Sequence, residues 1–328
     1  MATLNITAMT NSTASEWEWQ IEVAVDPSGY IYTSGKLSGG RLGAWTYAPS
    51  TNTLTRRATY QSGNSNEWST FLSANYRGVA EGFWSNNPGF RVWTFNGTAL
   101  TLKASNTVGV GSPYLDVGGS FRNGVDSDDL LIGQNQSGKI LTFTWDGSTT
   151  VTTGVNTTGS VSYSRMCSSN ANYGLISGYA SNCAWYTWGV GTLTKRGNFG
   201  SAVTRTHVYM SPYIDRAYAC ASTSSLLCYD LTDLAATSVW APTSPVTNYH
   251  AVWEDSDNVI WTVGTAGIAA YTYSGTTYTL AGTYALSGCQ RIMGDNNGYL
   301  FVTCSDKKLY VLKAEWVSKN ALIGGQYY

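Results

Sequence analysis

One short aromatic strand pattern recurs along the whole chain and limits the possible folds more than any other feature. It returns about every 44 residues between Tyr47 and Leu312. Its seven copies are Ala44-Trp45-Thr46-Tyr47, Val92-Trp93-Thr94-Phe95, Thr142-Phe143-Thr144-Trp145, Trp185-Tyr186-Thr187-Trp188, Leu226-Leu227-Cys228-Tyr229, Ala270-Tyr271-Thr272-Tyr273 and Leu309-Tyr310-Val311-Leu312. Strand-like repeats of this period are typical of four-stranded propeller blades. The sequence therefore predicts an all-β, seven-bladed β-propeller with antiparallel blades.

The residues on either side of the recurring strand complete the repeat. A tight turn that begins with Asp or Asn and ends with Gly precedes it at 26–29, 75–78 and 295–298. Such side chains bond nearby backbone N–H groups, and Gly tolerates positive φ, so we expect hairpins there. A Thr-rich strand with basic residues follows, for example at 53–56 and 100–103. Basic side chains suit an exposed outer edge, because they discourage pairing with other sheets.

The two ends of the chain predict how the ring closes. Residues 3–7 match the fourth-strand pattern, whereas the seventh repeat ends after its third strand near Lys313. We therefore expect residues 1–10 and 286–315 to form one composite blade, in which residues 1–10 are the outer strand. With no Pro-rich or charge-rich linker, residues 1–315 are expected to form a single domain. Residues 316–328 are then expected to be a C-terminal extension.

Composition and charge argue against several function classes. Charged residues make up 12% of the chain and the net charge is −1, with the basic residues scattered over the repeats. This pattern does not predict nucleic-acid binding. The sequence has no run of eighteen apolar residues and no signal-peptide pattern, so we expect neither membrane insertion nor export. We accordingly expect synthesis in the cytoplasm.

The cysteines do not predict a metal site. The six cysteines show neither a CxxC motif nor Cys/His ligand spacing. Cys289 and Cys304 lie at equal distances from the turn at 295–298 and are expected to face each other on neighbouring strands as free thiols. The sequence also lacks phosphate-binding Gly loops, GxSxG and HExxH motifs. We expect no metal, no cofactor and no catalytic residues.

Polar residues in the predicted innermost strands are the candidate binding residues. They are Arg165, Arg205, His207, His250 and Arg291, with Gln20, Glu22 and Gln290 in comparable stretches. One interpretation is that they hydrate a water-filled channel. Another is an anion or sugar pocket at the channel mouth, where guanidinium groups meet a carboxylate or phosphate. The three arginines also resemble those of sialidase propellers, although no intact Ser-x-Asp-x-Gly-x-x-Trp box is present.

Residues 253–265 resemble the blade repeat of sensor-type propellers. That repeat reads roughly Asp-x-x-Gly-x-Leu-Trp-x-Gly-Thr, and Asn258 stands where the family has Gly. Residues 26–33 and 295–302 are similar to the same hairpin. The resemblance implies a propeller blade but no activity, because the membrane span and kinase region of those sensors are missing from the sequence.

In overall composition the chain resembles virion proteins of tailed bacteriophages. It has few charges and many Thr, Ser, Asn, Gly and aromatic residues. The resemblance implies a non-catalytic tail, nozzle or accessory protein that acts in assembly or host-surface contact. Other virion or tail subunits, a second copy of the chain and a host-surface glycan are the expected partners. The alternatives are a soluble carbohydrate-binding, lectin-like propeller and a sialidase-type glycoside hydrolase.

The C-terminal extension is the second candidate interaction site. It is rich in apolar residues for an exposed terminus, so we expect it to pack on blade seven or on a neighbouring subunit. The candidate anchors are Trp316, Leu322, Ile323, Tyr327 and Tyr328.

Overall fold

A computed structural model describes most of the chain. The described residues are 3–12, 19–36, 41–62, 68–76, 78–84, 89–107, 117–121, 129–134, 140–145, 150–156, 164–170, 172–178, 183–189, 192–199, 205–221, 225–231, 238–240, 246–275, 277–295 and 297–317. Apart from one 3₁₀ turn at Pro49–Thr51, the regular structure in these ranges is β. No helix in this part of the chain is long and apolar enough to span a membrane.

The described strands form seven four-stranded antiparallel sheets, which we number in chain order. Sheet 1 contains β2 (Trp19–Val25), β3 (Ile31–Lys36), β4 (Arg41–Ala48) and β5 (Thr53–Gln61). Sheet 2 contains β6 (Trp68–Ala74), β7 (Val79–Trp84), β8 (Gly89–Phe95) and β9 (Leu100–Thr107). Sheet 3 contains β10 (Val117–Phe121), β11 (Asp129–Gln134), β12 (Ile140–Trp145) and β13 (Thr150–Asn156).

The remaining sheets repeat the same order. Sheet 4 contains β14 (Ser164–Ser169), β15 (Tyr173–Gly178), β16 (Cys183–Gly189) and β17 (Thr192–Phe199). Sheet 5 contains β18 (Arg205–Met210), β19 (Arg216–Ala221), β20 (Ser225–Asp230) and β21 (Ser238–Trp240). Sheet 6 contains β22 (Tyr249–Glu254), β23 (Val259–Gly264), β24 (Gly267–Tyr273) and β25 (Tyr278–Ala285). Sheet 7 contains β26 (Cys289–Gly294), β27 (Tyr299–Cys304), β28 (Leu309–Val317) and β1 (Thr3–Asn11).

The first strands of the sheets lie side by side. Each contacts the first strand of the next sheet, in the order β2, β6, β10, β14, β18, β22 and β26, and β26 contacts β2. The chain is therefore a β-propeller with small four-stranded antiparallel blades, and the predicted all-β propeller class is confirmed. We call these first strands the inner strands.

Sheet 7 contains both the first and the last described strand of the chain, as predicted. Its outer strand β1 pairs with β28, with Leu4 opposite Trp316 and Thr3 opposite Val317. Leu4 and Ile6 are buried in the core between sheets 6 and 7. Because β28 continues to Val317, Trp316 lies within sheet 7. The division into a domain at residues 1–315 and an extension at 316–328 stays a prediction. The ladder with β1 extends β28, which a single sequence could not show.

The hydrophobic core lies between neighbouring sheets rather than in one central cluster. Tyr32 of sheet 1 packs in one cluster with Trp93 of sheet 2, and Trp45 packs with Phe301 of sheet 7. Similar clusters join sheets 2 and 3, 4 and 5, 5 and 6, and 6 and 7. Tryptophans of the recurring strand contribute to these interfaces. Trp145, for example, is fully buried in the cluster between sheets 2 and 3. Packing between blades therefore explains the aromatic repeat.

The predicted Asp and Asn turns are confirmed, and they also reach into the core. In sheet 6, Asp255 Oδ1 accepts the backbone N–H groups of Asp257 and Val259, while Oδ2 accepts the Trp261 indole N–H at 2.8 Å. In sheet 1, Asp26 holds its turn in the same way and accepts the Tyr32 hydroxyl at 2.8 Å. In each of these two sheets, the turn aspartate thus joins its turn to a buried aromatic side chain.

Every outer strand of the seven sheets carries a β-bulge opposite the third strand. The residues left out of the pairing are Met9, Arg57, Lys103, Thr153, Arg196, Val239 and Ala281. Bulges and basic side chains both hinder pairing with other sheets. The outer edges are therefore protected by the predicted basic residues and also by the bulges, which the sequence did not reveal.

The predicted cysteine pairing is also correct. Cys289 lies opposite Cys304 between β26 and β27, and the two sulfur atoms are 3.8 Å apart as free, buried thiols.

Candidate functional site

β-Bulges also occur in the inner strands, at equivalent positions near the start of each bulged strand. Six of the seven inner strands have a register shift near their start, and β10 pairs without one over its described length. The residues left out of the pairing are Gln20, Thr70, Arg165, Thr206, His250 and Gln290. All six are polar. Each of these strands therefore presents one polar residue outside the ladder at the same level of the ring.

The predicted binding residues occupy three different levels relative to this bulge. Arg165 and His250 are bulge residues. His207 and Arg291 come directly after it, opposite Cys220 and Thr303. Arg205 comes directly before it, opposite Ala221. The five residues therefore do not form one ring of equivalent positions, and the side chains of Arg165 and Arg205 lie outside the described part of the structure.

Two of these residues connect neighbouring inner strands. His250 of β22 places Nδ1 2.6 Å from the backbone oxygen of Cys289 in β26. His207 of β18 accepts the backbone N–H of Val252 in β22 at its Nδ1, at 3.4 Å. Both histidines thus join sheet 6 to an adjacent sheet.

Arg291 makes the corresponding contact where the ring closes. Its Nε donates to Glu22 Oε2 in β2 at 2.7 Å, and Nη1 donates to the backbone oxygen of Gln290. The side chains of Arg291 and Glu22 are only 19% and 17% exposed. The pair joins sheet 7 to sheet 1, so a candidate ligand-binding arginine already has a carboxylate partner within the protein.

His207 is poorly suited to accept a proton near neutral pH. Burial, together with the positive charge of Arg291, lowers the pKa of His207 to about 3. The imidazole is therefore neutral, which leaves Nδ1 free to accept the Val252 N–H. This arrangement favours a positioning role over general acid or base chemistry.

The sequence did not reveal other inter-sheet contacts of this kind. Asn170, which follows β14, donates its amide to the backbone oxygen of Ser211 at 2.7 Å. Ser168 of β14 accepts the backbone N–H of Met210 in β18 at 2.7 Å. Serine and asparagine are so common in this chain that neither residue stands out by type. Only the packing of sheet 4 on sheet 5 identifies them.

A buried carboxyl group between sheets 5 and 6 was also missed. Glu254, the last residue of β22, is fully buried, and neither of its carboxylate oxygens accepts a hydrogen bond from the described residues. Burial, reinforced by the charge of Asp255 and opposed by Ser211 and Arg216, raises the pKa of Glu254 to about 7. The sequence placed Glu254 inside a blade repeat and did not predict its burial.

Arg216 is held by two tyrosines near this carboxyl group. Its guanidinium lies 3.7 Å from the centre of the Tyr273 ring and donates to the hydroxyls of Tyr273 and Tyr278. Cys228 lies 3.1 Å from the Tyr278 hydroxyl. Arg216 joins β19 of sheet 5 to β24 and β25 of sheet 6. It is therefore a further inter-sheet contact rather than an open anion site.

The C-terminal candidates are only partly described. Trp316 is 43% exposed and lies on β28. Leu322, Ile323, Tyr327 and Tyr328 lie outside the described residues, so their predicted role as anchors stays a prediction. Within the described ranges, no group of three or more His, Cys, Asp or Glu side chains is arranged to hold a metal ion.

We expect the Arg291–Glu22 pair to contribute measurably to stability. R291Q and E22Q should each lower the free energy of unfolding by about 1–3 kcal/mol, because each leaves a largely buried polar partner unpaired. The double variant should lose less than the sum, with a coupling energy of about 1 kcal/mol in urea unfolding. The control is the same cycle for Lys308 and Asp306, which are 4.0 Å apart and more exposed. Equal coupling in both cycles would contradict this expectation.

Comparison with known proteins does not add a family. No protein-family model matches the chain, and none of the curated proteins is similar to it at a significant level.

Proposed function

We propose that this propeller is a non-catalytic structural and binding protein. The observation that carries the proposal is the use of polar inner-strand side chains as inter-sheet contacts. His207, His250 and Arg291 each bond to the neighbouring sheet rather than pointing as a group at one ligand position. Because these side chains hold neighbouring sheets together, they favour a rigid ring whose outer surface binds partners.

We further propose that all seven sheets are blades of one closed ring. The continuous series of contacts between inner strands, from β2 round to β26 and back to β2, supports this arrangement. The shared level of the inner bulges supports it as well. An experimental structure viewed along the ring axis that contains six blades would contradict the proposal.

The biological setting that we propose is the virion of a tailed bacteriophage, with a role in the tail, nozzle or an accessory position. The low charge content and the Thr-, Ser-, Asn- and Gly-rich composition support this setting. Bulges on all seven outer edges also suit dense packing with other β-proteins, because they limit unwanted strand pairing. The expected partners remain other virion or tail subunits, or further copies of the chain.

The virion proposal predicts where the protein is found. In particles purified from infected cells by density gradient, quantitative mass spectrometry should detect the chain at a fixed ratio to the major capsid protein. The wild type should not hydrolyse sialosides or other glycosides, and R291Q should behave identically in that assay. Absence from purified particles would contradict the virion setting. Glycoside turnover that is lost in R291Q would contradict the non-catalytic assignment.

Carbohydrate binding is the second candidate function. Two exposed tyrosines favour it, because Tyr76 and Tyr213 lie in the equivalent turn between the first two strands of sheets 2 and 5, at 77% and 46% exposure. Exposed aromatic rings on one face can stack on sugar rings. A glycan array would test this function, with Y76A and Y213A as variants. Binding that both substitutions leave unchanged would exclude these two tyrosines as its site.

A further inference from the structure

A crevice of about 70 Å³ lies between sheets 6 and 7, beside the turns at 255–258 and 295–298. Three tryptophans, Trp253, Trp261 and Trp316, and three aspartates, Asp255, Asp257 and Asp295, contribute to its lining. Its other lining residues among those described are aliphatic or glycine. The crevice therefore combines an aromatic wall with three carboxylates. The Lys313 ammonium lies beside Gly298 and donates to the backbone oxygen of Asn297.

The aspartates differ in how much of their hydrogen-bonding capacity is already used. Asp255 accepts two backbone N–H groups and the Trp261 indole. Asp295 accepts the backbone N–H groups of Asn297 and Tyr299 through Oδ1. Asp257 is exposed, and its only hydrogen bond among the described residues is the one that its backbone N–H donates to Asp255 Oδ1. The crevice thus has two aspartates held rigidly by their turns and one carboxylate with open acceptor positions.

Trp316 is the accessible part of the aromatic wall. It is 43% exposed, whereas Trp253 and Trp261 are 8% and 1% exposed. A tryptophan face attracts cations more strongly than the face of any other side chain. Carboxylates accept hydrogen bonds but cannot donate them when ionised. A ligand group that carries positive charge and only donors therefore fits this lining better than a neutral group.

We propose that this crevice binds an alkylammonium or guanidinium group, stacked on Trp316 and hydrogen-bonded to Asp257. The volume is about five times that required by one water molecule, which leaves room for a cationic group of several heavy atoms. Asp255 and Asp295 supply fixed negative charge around the bound group. The cation belongs either to a free amine or to a Lys or Arg side chain of a partner protein. The proposal stands independently of the virion setting.

The test is an NMR titration of the full chain that follows the Trp316 indole N–H signal. The probes are n-butylammonium, methylguanidinium, the peptides Gly-Lys-Gly and Gly-Arg-Gly, and the uncharged compounds n-butanol and methyl glucoside. We expect saturable shifts with the cations and none with the uncharged probes. W316L should weaken binding roughly tenfold, D257N should weaken it severalfold, and W316F should keep part of it.

E315Q and Y76L are the matched controls for D257N and W316L. Glu315 is an exposed acidic residue and Tyr76 an exposed aromatic residue, and neither lines the crevice. Neither substitution should change the binding. Tighter binding of the peptides would assign the ligand to a partner protein, and tighter binding of n-butylammonium would assign it to a free amine.

Three outcomes would overturn the proposal. The first is equal binding of n-butanol or preferential binding of methyl glucoside. The second is unchanged cation binding in both W316L and D257N. The third is binding only in a chain that ends at Val317, which would assign the crevice to the protein's own C-terminal residues.

Discussion

Deletion of residues 1–11 should make the protein aggregate under conditions that keep the full chain soluble. The deletion removes β1, which pairs with β28 from Thr3 to Asn11, and so exposes the backbone of β28 as an unprotected edge. It also removes Leu4 and Ile6 from the core between sheets 6 and 7. Burial of two such side chains contributes about 3–6 kcal/mol. Thermal unfolding and light scattering would measure the loss.

Point substitutions separate the packing contribution from the edge effect. L4A and I6A should each lower the free energy of unfolding by about 2–4 kcal/mol, whereas N5A, at an exposed position on the same strand, should change it little. Adding a synthetic peptide of residues 1–11 to the deletion variant should restore part of the stability. An unchanged melting temperature and no aggregation after the deletion would refute ring closure by β1.

The second large effect should be a pH dependence caused by Glu254. Its pKa is raised from 4.5 to about 7 in the folded protein, so the folded state binds more protons than the unfolded state between these values. The stabilisation is complete below about pH 4.5 and is lost as the pH rises through about 7. The slope approaches about 1.4 kcal/mol per pH unit, which amounts to about 3 kcal/mol in total.

E254Q should remove this dependence, because glutamine cannot ionise. The measurement is the free energy of unfolding in urea at several pH values from 5 to 8, compared between wild type and variant. The buried amide of glutamine can itself cost stability, so the change in slope, rather than the value at one pH, is the test. E315Q, at an exposed position of β28, is the control and should keep the wild-type slope. An identical slope in E254Q would refute the assignment.

Much of the fold follows from local patterns that a single sequence displays. The recurring aromatic strand, the Asp and Asn turns at 26–29 and 295–298, and the opposition of Cys289 and Cys304 all depend on short-range spacing. Each repeat contains its own turn chemistry and alternation, so the hairpins can be predicted one repeat at a time. The closing role of the N-terminal strand was also predictable, because residues 3–7 match the fourth-strand pattern and the seventh repeat ends after its third strand.

The candidate site was much less predictable. The sequence identified His207, His250 and Arg291 as polar residues of inner strands, but not their levels relative to the bulges. A bulge adds one residue to a strand, and one residue changes the face to which every later side chain points. Partners in other sheets lie about one repeat away, as for His250 and Cys289, or 269 residues away, as for Arg291 and Glu22. No local pattern relates such positions.

The sequence alone determined the repeat, the strand type and the turns, because these properties arise from hydrogen bonding and alternation within one repeat. It also indicated the strand that closes the ring, because the last repeat lacks a fourth strand and residues 3–7 match the fourth-strand pattern. Only the tertiary structure decided which polar groups pair between sheets, that Glu254 is buried, and that Trp316 borders an acidic crevice. These properties depend on how one sheet packs against the next. Packing between sheets sets burial and charge environment, and the local pattern of one strand does not encode which side chains meet across that packing.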